Sequence, residues 1–185
     1  MKLRFLLLAL PLLFASSTVS AQTMRAENIS VSAAPMGGAA TGPYTFYSLS
    51  ENHVVPNADS ASTAWDIGLF GTTIMVNGGT SGPGQGAARI VEMEFEEVTS
   101  ADGVELVTDG EGDCPRGDFA ICIGSGNGWY LYGGNGVQPL PGRTLVLRTA
   151  DGGFAKVRFL EYVLSDPQPD GSRPRFYTFE HAPLD

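Results

Sequence analysis

The chain has 185 residues, with 11 basic and 20 acidic side chains, 24 glycines, 12 prolines and two cysteines. Such a length forms one domain with a real core, and a formal net charge of −9 disfavours nucleic acid and anionic membrane surfaces as partners. After the leader, no run reaches the roughly 18 apolar residues that a membrane-spanning helix needs, so no transmembrane segment is expected.

Residues 1–21 read as a signal peptide. Lys2 and Arg4 form a basic start, Phe5 to Phe14 an apolar stretch, and Val19-Ser20-Ala21 a small-residue cleavage site before Gln22. The protein is therefore expected to be exported, to the periplasm or as a secreted or cell-surface protein. No cysteine stands at the cleavage site, so no lipid anchor is expected there. Export removes two of the 11 basic residues and leaves nine against 20 acidic ones, a net charge of −11. Residues 22–43 are small and polar and are expected to be a flexible N-terminal segment, followed by an all-β domain over 44–185.

Helical periodicity is absent beyond the leader, and glycine and proline punctuate short β-rich runs. Strands are expected over Thr45 to Leu49, Ala64 to Phe70 and Thr73 to Val76. From Trp65 to Ala88 the chain reads WDIGLFGTTIMVNGGTSGPGQGAA, a strand-rich run that passes into a glycine-rich loop. Ala88 to Val98 alternates, with Met93 and Phe95 on one side and Glu92, Glu94 and Glu96 on the other, and predicts a long strand with an acidic solvent face. Cys114 and Cys122 are expected to form a disulfide in an exported protein. Phe119 to Ile123 and Trp129 to Tyr132 predict two short strands. Thr144 to Val163 predicts a hairpin around Ala150-Asp151-Gly152-Gly153, and Arg175 to Glu180 a last strand after a surface loop at Asp166 to Pro174.

Catalytic patterns fail. His53 and His181 are the two histidines, and no Gly-x-Ser-x-Gly elbow places a serine beside either. Gly78, Gly79, Gly82, Gly84 and Gly86 lack the Lys-Ser or Lys-Thr ending of a phosphate loop. Asp109, Glu111 and Asp113 have the spacing that opens a calcium loop, but Cys114 replaces its glycine and Ala120 its closing glutamate. Arg116-Gly117-Asp118 matches a short adhesion tripeptide, a match that arises often by chance. The chain is not expected to be an enzyme or to hold a metal-only site. A binding function is expected instead, since Trp129, Tyr130 and Tyr132 lead into a flexible tip, Gly133 to Val137. The plainer alternative is a surface turn after a core strand.

Three blocks carry a family resemblance. They are WDIGLFGTTIMVNGGTSGPGQGAA, GWYLYGGNGVQPLPGRTLVLRTADGGFAKVRFLEYV and FYTFEH, in this order across roughly Tyr44 to His181. Together they resemble the HmuY-type haem-binding proteins of Bacteroidetes-like bacteria. The resemblance implies two packed or curved antiparallel sheets, with hairpins acting as fingers and thumb around one haem. It also implies an exported haemophore-like protein that passes haem or another porphyrin to an outer-membrane receptor of the TonB type. Members of the family hold iron through paired His or through Met. Here the matching regions, Ser100 to Gly128 and Gly133 to Gly136, contain neither. Tyr130, Tyr132, Asn135 and Val137 are the pocket candidates, with Tyr130 or Tyr132 open either to a phenolate role or to plain core packing. The same fold used as a binding or adhesion module for a non-haem ligand is the alternative.

Overall fold

A computed structural model describes residues 22–33, 42–166, 168 and 173–184. The signal-peptide reading of 1–21 lies outside the described residues. Eleven strands form three antiparallel sheets among them. They are β1 (Met24–Val31), β2 (Thr45–Ser48), β3 (His53–Val55), β4 (Ile67–Phe70), β5 (Thr73–Val76), β6 (Ala87–Val91), β7 (Tyr130–Gly133), β8 (Gly136–Pro139), β9 (Thr144–Arg148), β10 (Phe154–Leu164) and β11 (Arg175–Leu184). The orders are β1-β11-β10-β9-β6, β3-β2-β4-β5 and the β7-β8 hairpin. The all-β expectation holds.

The two larger sheets share one core. Tyr47, Ile67, Leu69, Ile74 and Val76 from the smaller sheet pack with Leu145, Leu147, Val157, Tyr177 and Phe179 from the larger. Each strand contributes its inward residues at every second position, and the β-branched and aromatic side chains fill the space between the pleated faces. Ala150 to Gly153 turns β9 into β10, as its turn chemistry predicts.

Three expectations need correction. The flexible segment expected over 22–43 contains β1, which pairs with β11 and buries Ala26 and Val31. A bulge between Ala26 and Ile29, where Asn28 has φ 55°, breaks the alternation that would have marked the strand. The predicted long strand ends at Val91 rather than Val98. Lys156 Nζ donates to the carbonyls of Phe95 and Val98, each at 2.7 Å, and its ammonium lies 4.4 Å from the Phe95 ring centre. The chain therefore curls around the lysine, with the Glu97 N–H closing a turn onto Glu94 O. Glu92 then pairs with Arg143 and Glu96 with Arg158. Finally, Phe119 to Ile123 forms no strand. The Asp109 carboxylate holds this segment instead, accepting the Ala120 N–H at 2.7 Å.

The Trp65 to Ala88 stretch is a lock. Trp65 is fully buried, and its indole N–H donates to Ser60 O. Asn77, also fully buried, donates its amide to Ser62 O and Trp65 O and accepts the Gly84 N–H. The glycine loop wraps this side chain so closely that a Cβ on Gly82 would lie 2.1 Å from Asn77 Oδ1 and 2.9 Å from the Trp65 ring. Gly82, Gly84 and Gly86 are therefore needed for close approach to Asn77, while Gly78 and Gly79 approach Gly86 and Asp109. Replacing Asn77 by Ala strips three hydrogen bonds from a fully buried side chain and is expected to destabilise the fold by about 3–5 kcal/mol. Urea unfolding measures this directly, and a loss below about 1 kcal/mol would refute the lock.

Candidate functional site

The β7–β8 hairpin stands apart from both larger sheets and lies against β10. Trp129, just before β7, anchors it. The indole N–H donates to Thr72 O at 3.0 Å, and the ring packs against Tyr130, Phe159, Tyr162 and Tyr177 with centroids 4.9–5.8 Å away. Tyr177 is buried and donates to Gly71 O. Burial pushes the Tyr162 phenol up to about 12 and raises that of Tyr177 as well. These phenols stay protonated at neutral pH and act as packing groups.

The four pocket candidates divide. Tyr130 is buried, and its phenol oxygen accepts from Thr72 Oγ1 at 3.1 Å. Val137 is half-buried against the same core and faces Tyr132 across the ladder. Tyr132 is 64% exposed, and Asn135 is exposed at the Gly134-Asn135 tip. Tyr130 and Tyr132 share a strand face by alternation, yet only Tyr132 presents its ring to solvent. Its backbone N–H donates to Ser125 Oγ at 2.8 Å, which fixes the strand beneath the ring. Leu131, on the opposite face, is 51% exposed. Sequence reasoning passed over Leu131 and also the exposed Val163 and Leu164 at the end of β10. The adjacent Tyr162-Val163-Leu164 run was a signal, because three apolar residues in a row cannot all face one side of a strand.

A cleft of about 290 Å³ lies at the base of β8, lined among others by Phe95, Pro139, Leu140, Arg143, Arg158 and Phe159. It includes none of the four candidates. Its two guanidinium groups are already engaged. Arg143 donates to Gly126 O and Gly128 O and meets Glu92, and Arg158 bonds Glu180 and Glu96. A second hollow of about 340 Å³ is lined by Ser48, His53, Asp59, Asp66 and Asp151 among others. The Asp66 carboxylate is turned away from ligand duty there by N–H bonds from Leu49 and Ala150.

The remaining titratable candidates do not converge. Asp109 is buried, while Glu111 and Asp113 are exposed, so the calcium-type spacing does not form a cage. Among the described residues no group of three or more His, Cys, Asp or Glu could hold a metal ion. Cys114 and Cys122 are joined in a disulfide. His53 is exposed and lies 3.9 Å from Glu51. His181 is 1% exposed, and its Nε2 lies 2.8 Å from Asn52 Oδ1, which also accepts from the Tyr47 hydroxyl.

No protein-family model matches the chain, and no curated protein matches it. Among solved structures it is similar to a protein of Bacteroides vulgatus described as HmuY-like and heme-binding, with 15% identity and a TM-score of 0.43, over 75% of this chain and 84% of that one. It is also similar to the apo HmuY analog of Tannerella forsythia, with 13% identity and a TM-score of 0.42, over 90% of this chain and 96% of that one. A protein of Bacteroides fragilis described as a lipoprotein gives 13% identity and a TM-score of 0.42, over 90% of this chain and 92% of that one. The similarity is one of fold outline. The chain itself belongs to the class of all-β, disulfide-bonded domains with an exposed aromatic hairpin.

Burial lowers the pKa of His181 to about 4, from an ordinary value near 6.5. The folded protein thus keeps this ring neutral while the unfolded chain takes up a proton below about pH 6.5. Stability is expected to be unaffected by this group above that pH and to fall by up to about 1.4 kcal/mol per pH unit down to about pH 4. Urea midpoints across this window test it, with His181→Gln as the control that removes the slope.

Proposed function

We propose that this is an exported, non-enzymatic binding protein for haem or a related porphyrin. In this reading a flat apolar ligand lies on the Tyr132–Val137 face of the β7–β8 hairpin and is later passed to an outer-membrane receptor. The observation that carries the reading is the division within the hairpin. Trp129 and Tyr130 tie its base to the core, while the ring of Tyr132 remains 64% exposed on the same rigid strand. An aromatic ring held in solvent on a fixed element, paired across the ladder with the half-buried Val137, offers the apolar contact that a flat ligand uses. The family resemblance in the sequence supports porphyrin as the ligand class.

The residues fit a porphyrin by apolar contact and fit its iron only through one oxygen. Tyr132 is the candidate whose hydroxyl is free, because that of Tyr130 already accepts from Thr72. Tyrosine is an accepted haem ligand, and bound haem would supply a ferric centre for it. Neither His nor Met occupies the hairpin, so the affinity rests mainly on apolar burial.

Titration with hemin is expected to give a saturable Soret shift at about one equivalent. Tyr132→Phe should change the ferric spectrum while retaining porphyrin binding, and Tyr130→Phe should leave the spectrum unchanged. Iron-free protoporphyrin should bind to the parent and to Tyr132→Phe alike. Absence of any saturable shift in both ferric and ferrous states refutes the porphyrin reading and leaves a binding module for another ligand.

A further inference from the structure

The Cys114–Cys122 loop carries a second surface, and its chemistry has nothing to do with porphyrin. Arg116, Gly117 and Asp118 are all exposed at its tip. Among the described residues, neither the Arg116 nor the Asp118 side chain has an ion-pair or hydrogen-bond partner, whereas Arg143 and Arg158 are each bonded several times over. The tip is nevertheless well anchored. The disulfide closes the loop, and the Asp118 carbonyl accepts from the Gly110 N–H at 2.6 Å and from the Gly112 N–H at 3.2 Å. Directly after it, Ala120 is buried and pinned to the Asp109 carboxylate. Gly117 has φ 80°, which only glycine adopts without strain, and a Cβ there would stand 3.3 Å from the Phe119 ring. The backbone therefore reverses at Gly117 over an aromatic support.

A planar guanidinium and a carboxylate, one glycine apart on a reversed and covalently closed tip, form a matched pair of recognition groups. The guanidinium suits a bidentate carboxylate on a partner. The carboxylate suits a hard divalent cation that still has an open coordination position. On a chain with 20 acidic and 11 basic residues, the tip offers an exposed arginine in a predominantly acidic field. Because the loop is already ordered, a partner does not have to meet the entropy of fixing it.

We propose that the Cys114–Cys122 loop docks a protein receptor that places an acidic cleft beside a receptor-held divalent cation. Arg116 enters the cleft, and Asp118 completes the coordination of that cation. This is the chemistry of a metal-dependent adhesion receptor. The proposal is independent of the hairpin and stands whether or not porphyrin binds.

The test uses the exported chain, immobilised, with the purified ectodomain of an integrin that binds Arg-Gly-Asp as the probe. Saturable binding in manganese is expected. EDTA should abolish it, and a soluble linear Gly-Arg-Gly-Asp-Ser peptide should compete with it. Asp118→Glu keeps the charge and the backbone contacts but displaces the carboxylate, and it should weaken binding by about tenfold or more. Arg116→Gln should do the same, with both variants melting as the parent does. The double change Cys114→Ser with Cys122→Ser should weaken binding without abolishing it. Absence of binding, binding that survives EDTA, or binding by Asp118→Glu and Arg116→Gln as strong as the parent's overturns the proposal.

Discussion

One buried carboxylate holds the two large sheets together. Asp66 is 5% exposed, and its oxygens accept the Leu49 N–H at 2.8 Å and the Ala150 N–H at 2.9 Å. Leu49 directly follows β2 of the four-stranded sheet, while Ala150 opens the turn between β9 and β10 in the five-stranded one. The carboxylate is thus a polar bridge between the two sheets. Burial raises its pKa, and the backbone donors from Ala150 and Leu49 oppose that rise. Such a group is tolerable only because its lone pairs are used, and without it these N–H groups would be buried and unpaired. Asn77 extends the same bridge, since its backbone N–H donates to Asp66 O while its side chain fixes the glycine loop.

The hairpin depends on that bridge at one remove. The turn at Ala150 sets where β10 begins, and β10 presents Phe159 and Tyr162 to Trp129. Trp129 and Tyr130 in turn hold β7. Precision in the exposed Tyr132 ring is therefore inherited through packed aromatic rings rather than supplied by the hairpin's own two-stranded ladder, which would be marginal alone. The fold uses most of its buried polar chemistry in the same structural way. Lys156 shapes the turn after β6, Asp109 holds the 120 segment, and His181 satisfies Asn52.

Local chemistry was readable in the sequence, and long-range chemistry was not. The β9–β10 hairpin announces itself through Asp151-Gly152-Gly153, and Cys114 and Cys122, the two cysteines of the chain, announce their bond. β1 is invisible locally because its bulge at Asn28 spoils the period and its stability comes from β11, far along the chain. The break at Val91 is equally hidden. The alternation of Glu92 to Phe95 is real, but Lys156, more than 50 residues later, decides where that backbone goes. At the candidate site the alternation placed Tyr130 and Tyr132 on one face correctly. It could not show that the Thr72 hydroxyl and the Trp129 ring would bury the first and leave the second free.

The two exposed surfaces share a single unusual support. Between Val91 and Tyr130 the chain forms no strand, apart from a bridge of Val107 to Ala88. Segments that long without regular structure are uncommon in small domains and costly to order. This one is fixed at separate points: the Asp109 carboxylate on Val76 and Ala120, the disulfide, and the Arg143 guanidinium on Gly126 and Gly128. Its last stretch folds back on itself, for a Cβ on Gly128 would lie 2.0 Å from Cys122 O. The closed loop that presents Arg116 and Asp118 therefore leads rigidly into the strand that presents Tyr132. The segment also lends Ala120, Ile121 and Trp129 to the main core. Its ordering makes physical sense if what it holds outward, the tripeptide tip and the hairpin ring, is what the protein uses.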